Sequence, residues 1–471
     1  MDFMLYDLIF LVVFALFIAW FLYRGKKNLK KEGLLLLYRT PWGIKLIDKV
    51  GKKYKKTLCF LSYVSITLGY LLMIGALWLV YTILKIYVFH PDVVSQIKVP
   101  PIMPLIPYID KVVTFLPPFY FTYWIVILAV IAISHEFAHG IFMRRYNIQI
   151  KSTGFGFFPF FFPIFPAAFV EQDEKSMTKS KNFEQKAVLS AGTFANVIVS
   201  ILFFGVLAIF FTTSFSPAGV VFDDYSYSIV DISSITSVNG VLVANPTVES
   251  LSGLVENFSF NKIEANNTQF VGIKGFPGEG LIALYDDSPA IKAELNSAIL
   301  EINNQKVTTI EELGNELDKY SPGDKIEIKT KLNEKGEEIK EVSLSQAPPG
   351  REGKVWLGVV FYKRDSGGIM NKIFSAASSF KKANTYYESK IGDLGWFIYN
   401  LLWWLILISI SVALVNMLPV GIFDGGRFFY LTILSLGGSE KLARNSFKWI
   451  TYAFLFLLVA IMVLWVSALF F

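Results

Sequence analysis

Cysteine occurs once in this sequence, as Cys59, and histidine three times, in 471 residues. A lone cysteine excludes an intrachain disulfide and every cysteine-based zinc site, so a zinc ion would have to be held by His and carboxylate side chains. Charge is scarce as well: Asp, Glu, Lys and Arg make up 17% of the chain against 54% hydrophobic residues, for a mean hydropathy of +0.49. That balance excludes an ordinary soluble protein and predicts a polytopic membrane protein with at least one water-soluble part. The net charge of +6 is modest and gathers in one loop. It gives no footing for a nucleic-acid partner and speaks instead of topology and the lipid bilayer.

About six transmembrane helices can be read from the apolar runs. The first, about residues 8–23, lacks a small-residue cleavage site and ends in Arg24, Lys26, Lys27, Lys30 and Lys31, so it reads as a retained span rather than a signal peptide. The basic loop that continues to Lys56 belongs in the cytoplasm by the positive-inside rule, which puts the N-terminus outside. Further spans are expected at about 57–88, 119–142, 187–211, from 396 onward, and 449–471. His90 opens a proline-rich outer segment and is taken as a surface histidine. The apolar stretch 154–170 is punctuated by prolines that a helix interior rejects. It is either an extended or re-entrant segment packed on the neighbouring helices or a loop in the headgroup layer.

The third run holds Ser134-His135-Glu136-Phe137-Ala138-His139. Histidines four apart share one face of a helix and can grip a single Zn²⁺, with Glu136 beside it as general base toward an attacking water, the arrangement of HExxH metallopeptidases. The plainer reading is a pair of packed core histidines with Glu136 reaching the membrane surface. A carboxylate at mid-membrane costs about 2.5–3.5 kcal/mol, which favours a functional site. Arg144 and Arg145 mark the inner face, and at 1.5 Å per residue His139 lies roughly 7–8 Å from them, in the cytoplasmic third of the bilayer.

A hydrolytic zinc needs a third protein ligand. A straight helix from Trp396 to Asp424 would run about 42 Å, beyond a hydrocarbon core of about 30 Å, so Pro419 and the glycines must break it and return Asp424 to the depth of His139. Asp424 is the only other membrane-region carboxylate with a break to aim it, and is assigned as that ligand. Its alternatives are an N-cap for the helix beginning near Gly426 or a partner for Arg427. Asn196, on the fourth span, is either an interhelical hydrogen-bond partner or a group facing the site.

Charges and turn residues return over 212–365, which reads as a soluble α+β domain on the outer side, inserted between core parts 118–211 and 366–471 and preceded by spans and loop in 1–117. Strands are expected near Gly280 to Ala283 and Ala298 to Ile302, a helix near Glu311 to Tyr320, and a strand from Lys325. The order Asp287-Ser288-Pro289-Ala290, Ile302-Asn303-Asn304 and Pro322-Gly323-Asp324 resembles the PDZ domains of membrane and envelope proteases. Glu294, Ser297 and Ala298 stand where that pattern has two glycines and an Asp. An upstream echo, Ser237-Val238-Asn239-Gly240, has the spacing of a second copy or of a chance match. Two glycosylation acceptor patterns begin at Asn257 and Asn266.

The HExxH on one inward span, with Asn416-Met417-Leu418-Pro419 followed by Asp424-Gly425 on another, resembles the site-2 protease family of intramembrane zinc metalloproteases. The resemblance covers about 120–211 and 396 onward, and an outer PDZ-like insert is also a habit of that family. It implies His135, His139 and Asp424 as zinc ligands and Glu136 as general base, and the mechanism then expects Asn196 or Asn416 to steady an oxyanion or hold substrate backbone. Asn196 matches a Gly-x-x-x-Asn motif with Thr193 where Pro is common, and Phe423 stands where Leu is usual. The family's membrane-embedded β-like segment falls on 154–170. The activity implied is regulated intramembrane proteolysis, the hydrolysis of peptide bonds in or near transmembrane helices of single-span membrane proteins. Its rival is a catalytically inactive scaffold binding peptides through the PDZ-like domain. A metal transporter would need a polar path that the outer half of the third span, 120–133, does not offer.

Overall fold

The computed structural model describes residues 3–25, 29–32, 35–90, 94, 103, 105–113, 115–158, 165–255, 260–332, 336–348, 354–362 and 379–470. The acceptor pattern at Asn257, part of the proline-rich segment (with Pro100, Pro101 and Pro104), the boundary at 365 and the tip of the 154–170 stretch lie outside the described residues. The chain divides into two units, Met1–Phe210 with Trp396–Phe471, and Phe211–Gly395.

The first unit runs through α1 (Phe3–Arg24), β1 (Leu29–Glu32), β2 (Leu35–Thr40), α2 (Ile44–Lys53), α3 (Lys55–Phe89), α4 (Phe121–Arg145), β3 (Ile150–Phe158), β4 (Phe165–Gln172), α5 (Glu174–Lys179) and α6 (Asn182–Ser214). It resumes with α7 (Asp393–Asn416), α8 (Asp424–Gly437) and α9 (Glu440–Phe470). Among the described residues six helices, α1, α3, α4, α6, α7 and α9, are long and apolar enough to cross a membrane. Their outward faces carry Phe60, Leu71, Ile74 and Trp78 on α3 and Phe456, Val459 and Val463 on α9, all exposed. An apolar outer face costs nothing in a lipid solvent and would be a liability in water.

The N-terminal end of α4 is capped from another helix. Tyr120, at its N-cap, does not cap the helix with its side chain. Asp7 of α1 does so instead, accepting the N–H groups of Phe121 at 2.7 Å and Thr122 at 2.8 Å, the Thr122 hydroxyl at 2.6 Å and the Tyr108 hydroxyl at 2.8 Å. These bonds satisfy donors that every helix start leaves orphaned, and they explain a buried carboxylate in an otherwise apolar helix. Sequence reading passed over Asp7 because its partners lie more than 100 residues away. Asp7→Ala should lower stability in detergent by about 2–4 kcal/mol, and Asp7→Asn, which keeps one acceptor, by about half of that. Chemical unfolding followed by tryptophan fluorescence reads the difference, and equal stability of all three proteins would refute the cap.

Four antiparallel strands form one sheet in the order β1-β2-β3-β4. The stretch expected to be extended or re-entrant is thus a pair of antiparallel strands, Ile150 opposite Gln172 and Phe158 opposite Phe165, with one register shift between Ile150 and Ser152. Pro159 and Pro163 fall in the undescribed tip. Pro166 pairs opposite Phe157 on β4, an edge strand, where a residue without an N–H is tolerated. The basic loop also holds more structure than its charge suggested. Leu36 to Thr40 pair with Phe157 to Thr153, and α2 follows.

Among the described residues, two six-stranded antiparallel sheets and two two-stranded ones build the second unit. Strand Thr385–Ser389 pairs with Phe215–Val221, so the unit continues about 30 residues past the composition change at 365, closing with the residues that lead into α7. The expected elements lie at Leu281–Asp286, Ala298–Ile302, Ile310–Leu317 and Lys325–Lys331. The upstream echo is a repeated construction. Asn239 and Gly240 turn the hairpin between Ile235–Val238 and Val241–Leu242, as Asn303 and Asn304 turn that between Ala298–Ile302 and Gln305–Lys306, all four with positive φ. Such turns suit the twist of a two-residue hairpin. Asn239 donates its N–H to the Lys262 carbonyl and accepts the Lys262 N–H on Oδ1. Asn303 does the same with Glu327. Thr247 and Thr309 then cap the short helices that bury Leu251 and Leu313.

Candidate metal centre

Helical spacing stacks His135 and His139 on the inner side of α4, 8% and 6% exposed, with their Nε2 atoms 3.0 Å apart. Asp424 reaches them from the far end of the chain, its Oδ2 3.3 Å from His135 Nε2 and 3.2 Å from His139 Nε2. The break that aims it is local. Helix α7 stops at Asn416, the chain turns through Pro419, and α8 starts at Asp424 itself. A Cβ on Gly425 or Gly426 would collide with the backbone of Met417 or Val420, so only glycines let the first turn of α8 fold back on that loop. Both alternatives for Asp424 fall away. Phe423 holds the N-cap position, and Arg427 turns to Glu174 at 3.2 Å and Gln185 at 3.4 Å.

These groups fit a metal ion. Ligands about 2.0–2.1 Å from a tetrahedral zinc lie about 3.3–3.5 Å from one another, close to the three separations here. The ligand atoms of His135, Glu136 and His139 all lie within 4.8 Å of one another. His139 Nδ1 stands 2.7 Å from the Val188 carbonyl, to which it donates, leaving the Nε2 lone pair toward Asp424. On α6, Gly192 keeps the space beside the two rings open: a Cβ there would stand 2.5 Å from both Nε2 atoms. Zn²⁺ would be held by His135, His139 and Asp424 in that space.

A cavity of about 1000 Å³ opens onto these residues, with Glu136 and Asn416 on its wall and Lys151 and Glu171 at the β-sheet side. Glu136 Oε2 accepts the Val170 N–H at 2.9 Å, which ties the carboxylate to β4. Hydrogen bonding from Ser152, with the Arg39 guanidinium 3.0 Å away, holds the Glu171 carboxyl below its ordinary range and favours its charged form on the cavity wall.

The six residues singled out from sequence therefore gather in one place, with a division among them. Asn416 lines the cavity. Asn196 is fully buried, 3.1 Å from His135 Nδ1, and faces that ring rather than the cavity. His90 is exposed. Sequence reading missed the parts played by Gly192, Val188 and Val170. Gly192 had a signal in its four-residue spacing from Asn196, which puts both on one helix face.

Residues 123–461 match the sequence pattern of the family described as Peptidase family M50. The chain is 28% identical over 195 residues to an uncharacterized protein of Methanocaldococcus jannaschii, covering 41% of this chain and 48% of that one. Two Xylella fastidiosa proteins named "Putative zinc metalloprotease" are each 36% identical over 87 residues, 17% of this chain and 19% of theirs. The matches span about half of the first relative and about a fifth of the other two.

Proposed function

Because the chain belongs to peptidase family M50, we propose that it is a site-2-type endopeptidase that hydrolyses peptide bonds in or near the transmembrane helices of single-span membrane proteins. The observation that carries this reading is the convergence of His135, His139 and Asp424 within 3.3 Å, with Glu136 on the same cavity, in a bundle of apolar helices. Zn²⁺ at this centre would supply a Lewis acid that polarises the scissile carbonyl and acidifies water toward a pKa of about 7. Glu136, held through Oε2 by Val170, takes a proton from the attacking water on its other oxygen and delivers it to the leaving amine nitrogen. Asn416 holds substrate backbone from the cavity wall.

A substrate helix hides its peptide bonds in i to i−4 hydrogen bonds and must unwind before water attacks. The outer edge of β4, which carries Val170 beside Glu136, takes the unwound stretch by strand addition. Arg144 and Arg145 at the end of α4 support an active site in the cytoplasmic third of the bilayer, with both termini and the second unit outside. That unit acts as a PDZ-like filter on substrate size, a reading supported by its Ser288-Pro289 helix start and Asn-turned hairpins.

Full-length protein in detergent should cleave a single-span substrate within its apolar segment, as read by product mass spectrometry. A zinc chelator should remove the activity, and added Zn²⁺ should restore it. Cleavage confined to water-exposed loops, or unaffected by chelation, would overturn the proposal.

A further inference from the structure

We propose that Asn196 is a positioning residue for His135, whose side-chain oxygen accepts the Nδ1 proton and so keeps Nε2 free for the metal; it is not a substrate contact. The inference rests on the metalloprotease reading above.

An imidazole that offers Nε2 to a metal carries its proton on Nδ1, and a buried N–H needs an acceptor. The polar atom beside His135 Nδ1 is Nδ2 of Asn196, at 3.1 Å. Asn196 Oδ1 lies buried without a hydrogen-bond partner among the described residues. Two donors facing each other and an acceptor left idle is the wrong assignment of a symmetric amide. Half a turn about the last side-chain bond exchanges the two ends at no steric cost and gives Nδ1–H its acceptor.

The other imidazole follows the same rule, since His139 Nδ1 donates to the Val188 carbonyl at 2.7 Å. Val188, Gly192 and Asn196 succeed one another at intervals of four on α6, so they form one stripe along the helix. Its two ends hold the outer nitrogens of the two rings, and its middle leaves room at the inner ones. The stripe is itself anchored. Ser409 of α7 donates to the Asn196 backbone carbonyl at 2.8 Å, with both residues fully buried. That bond joins the helix that orients the histidines to the helix whose break presents Asp424.

Zinc affinity of the full-length protein in detergent, measured by competition with a chromogenic chelator, tests the assignment. Asn196→Ala should weaken zinc binding about 10–100-fold. Asn196→Asp, which restores an acceptor, should return it to within a few-fold of wild type, and the Co²⁺-substituted absorption spectrum should shift for Ala only. With zinc saturating, Asn196→Ala should lower kcat and leave KM for a single-span substrate nearly unchanged. Should Ala fold poorly, as judged by unfolding in the presence of chelator, Asn196→Leu, with the same branched heavy-atom skeleton and no acceptor, carries the same test. An Asn196→Ala protein with affinity within twofold of wild type, or a raised KM at unchanged zinc affinity, would overturn the proposal. A wild-type protein that binds no zinc would instead bring down the metalloprotease reading.

Discussion

Glu136→Gln is expected to slow cleavage of a single-span substrate by about 10²–10⁴-fold while the protein keeps one zinc per chain. Gln has the shape of Glu and retains an oxygen that can accept the Val170 N–H, so the tie between α4 and β4 survives. What it loses is the ability to take up a proton. The substitution also removes a charge from apolar surroundings, which costs the fold nothing and can raise its stability. The expected signature is therefore an inactive protein at least as stable as wild type, with full metal content by elemental analysis. Glu136→Asp sharpens the test, because it keeps the base and draws it back by one methylene, and should fall between the two. A Gln variant that cleaves at the wild-type rate would remove Glu136 from the chemistry, whatever the metal does.

How much of this was legible beforehand varies with the range of the interaction. His135 and His139 are set four residues apart, so helical geometry alone stacks them, and Glu136 follows directly beside the first. Asp424 lies almost 300 residues away, yet its arrival could be argued, because a helix too long for the bilayer must break at Pro419 and the break has only one carboxylate to deliver. The apolar spans were legible for the same reason: a lipid solvent leaves the backbone few choices. Contacts decided by packing were not legible. Nothing near Asp7 says that its carboxylate will cap a helix starting at residue 121, and nothing in the leucines before Tyr38 says that they will pair with the strand after the HExxH helix. The prolines of 154–170 argued correctly against a helix, and the edge strand β4 carries one of them, Pro166. In the second unit the Asn-led turns were visible as spacing. Their identity as one device became clear only when Asn239 and Asn303 were found making the same pair of bonds to the neighbouring strand.

Gly192→Ala should cost about 100-fold in zinc affinity. Mid-helix Gly to Ala ordinarily stabilises a helix by about 1 kcal/mol, so the helix itself gives no reason to expect harm. Here the new carbon would stand 2.5 Å from Nε2 of both histidines, well inside contact distance, in the space their lone pairs face. Two responses are open, and both empty the site. Either the rings turn away and lose their bonds to Asn196 and Val188, or α6 moves outward and takes those two anchors with it. Gly205 on the same helix serves as the control. A Cβ there meets nothing within 4 Å, so Gly205→Ala should keep wild-type zinc content and gain slightly in stability. Elemental analysis of the two purified variants beside wild type separates an effect of the site from an effect of the helix. Wild-type zinc content and turnover in the Gly192→Ala protein would mean that the metal does not lie between His135 and His139, and the centre would have to be sought elsewhere.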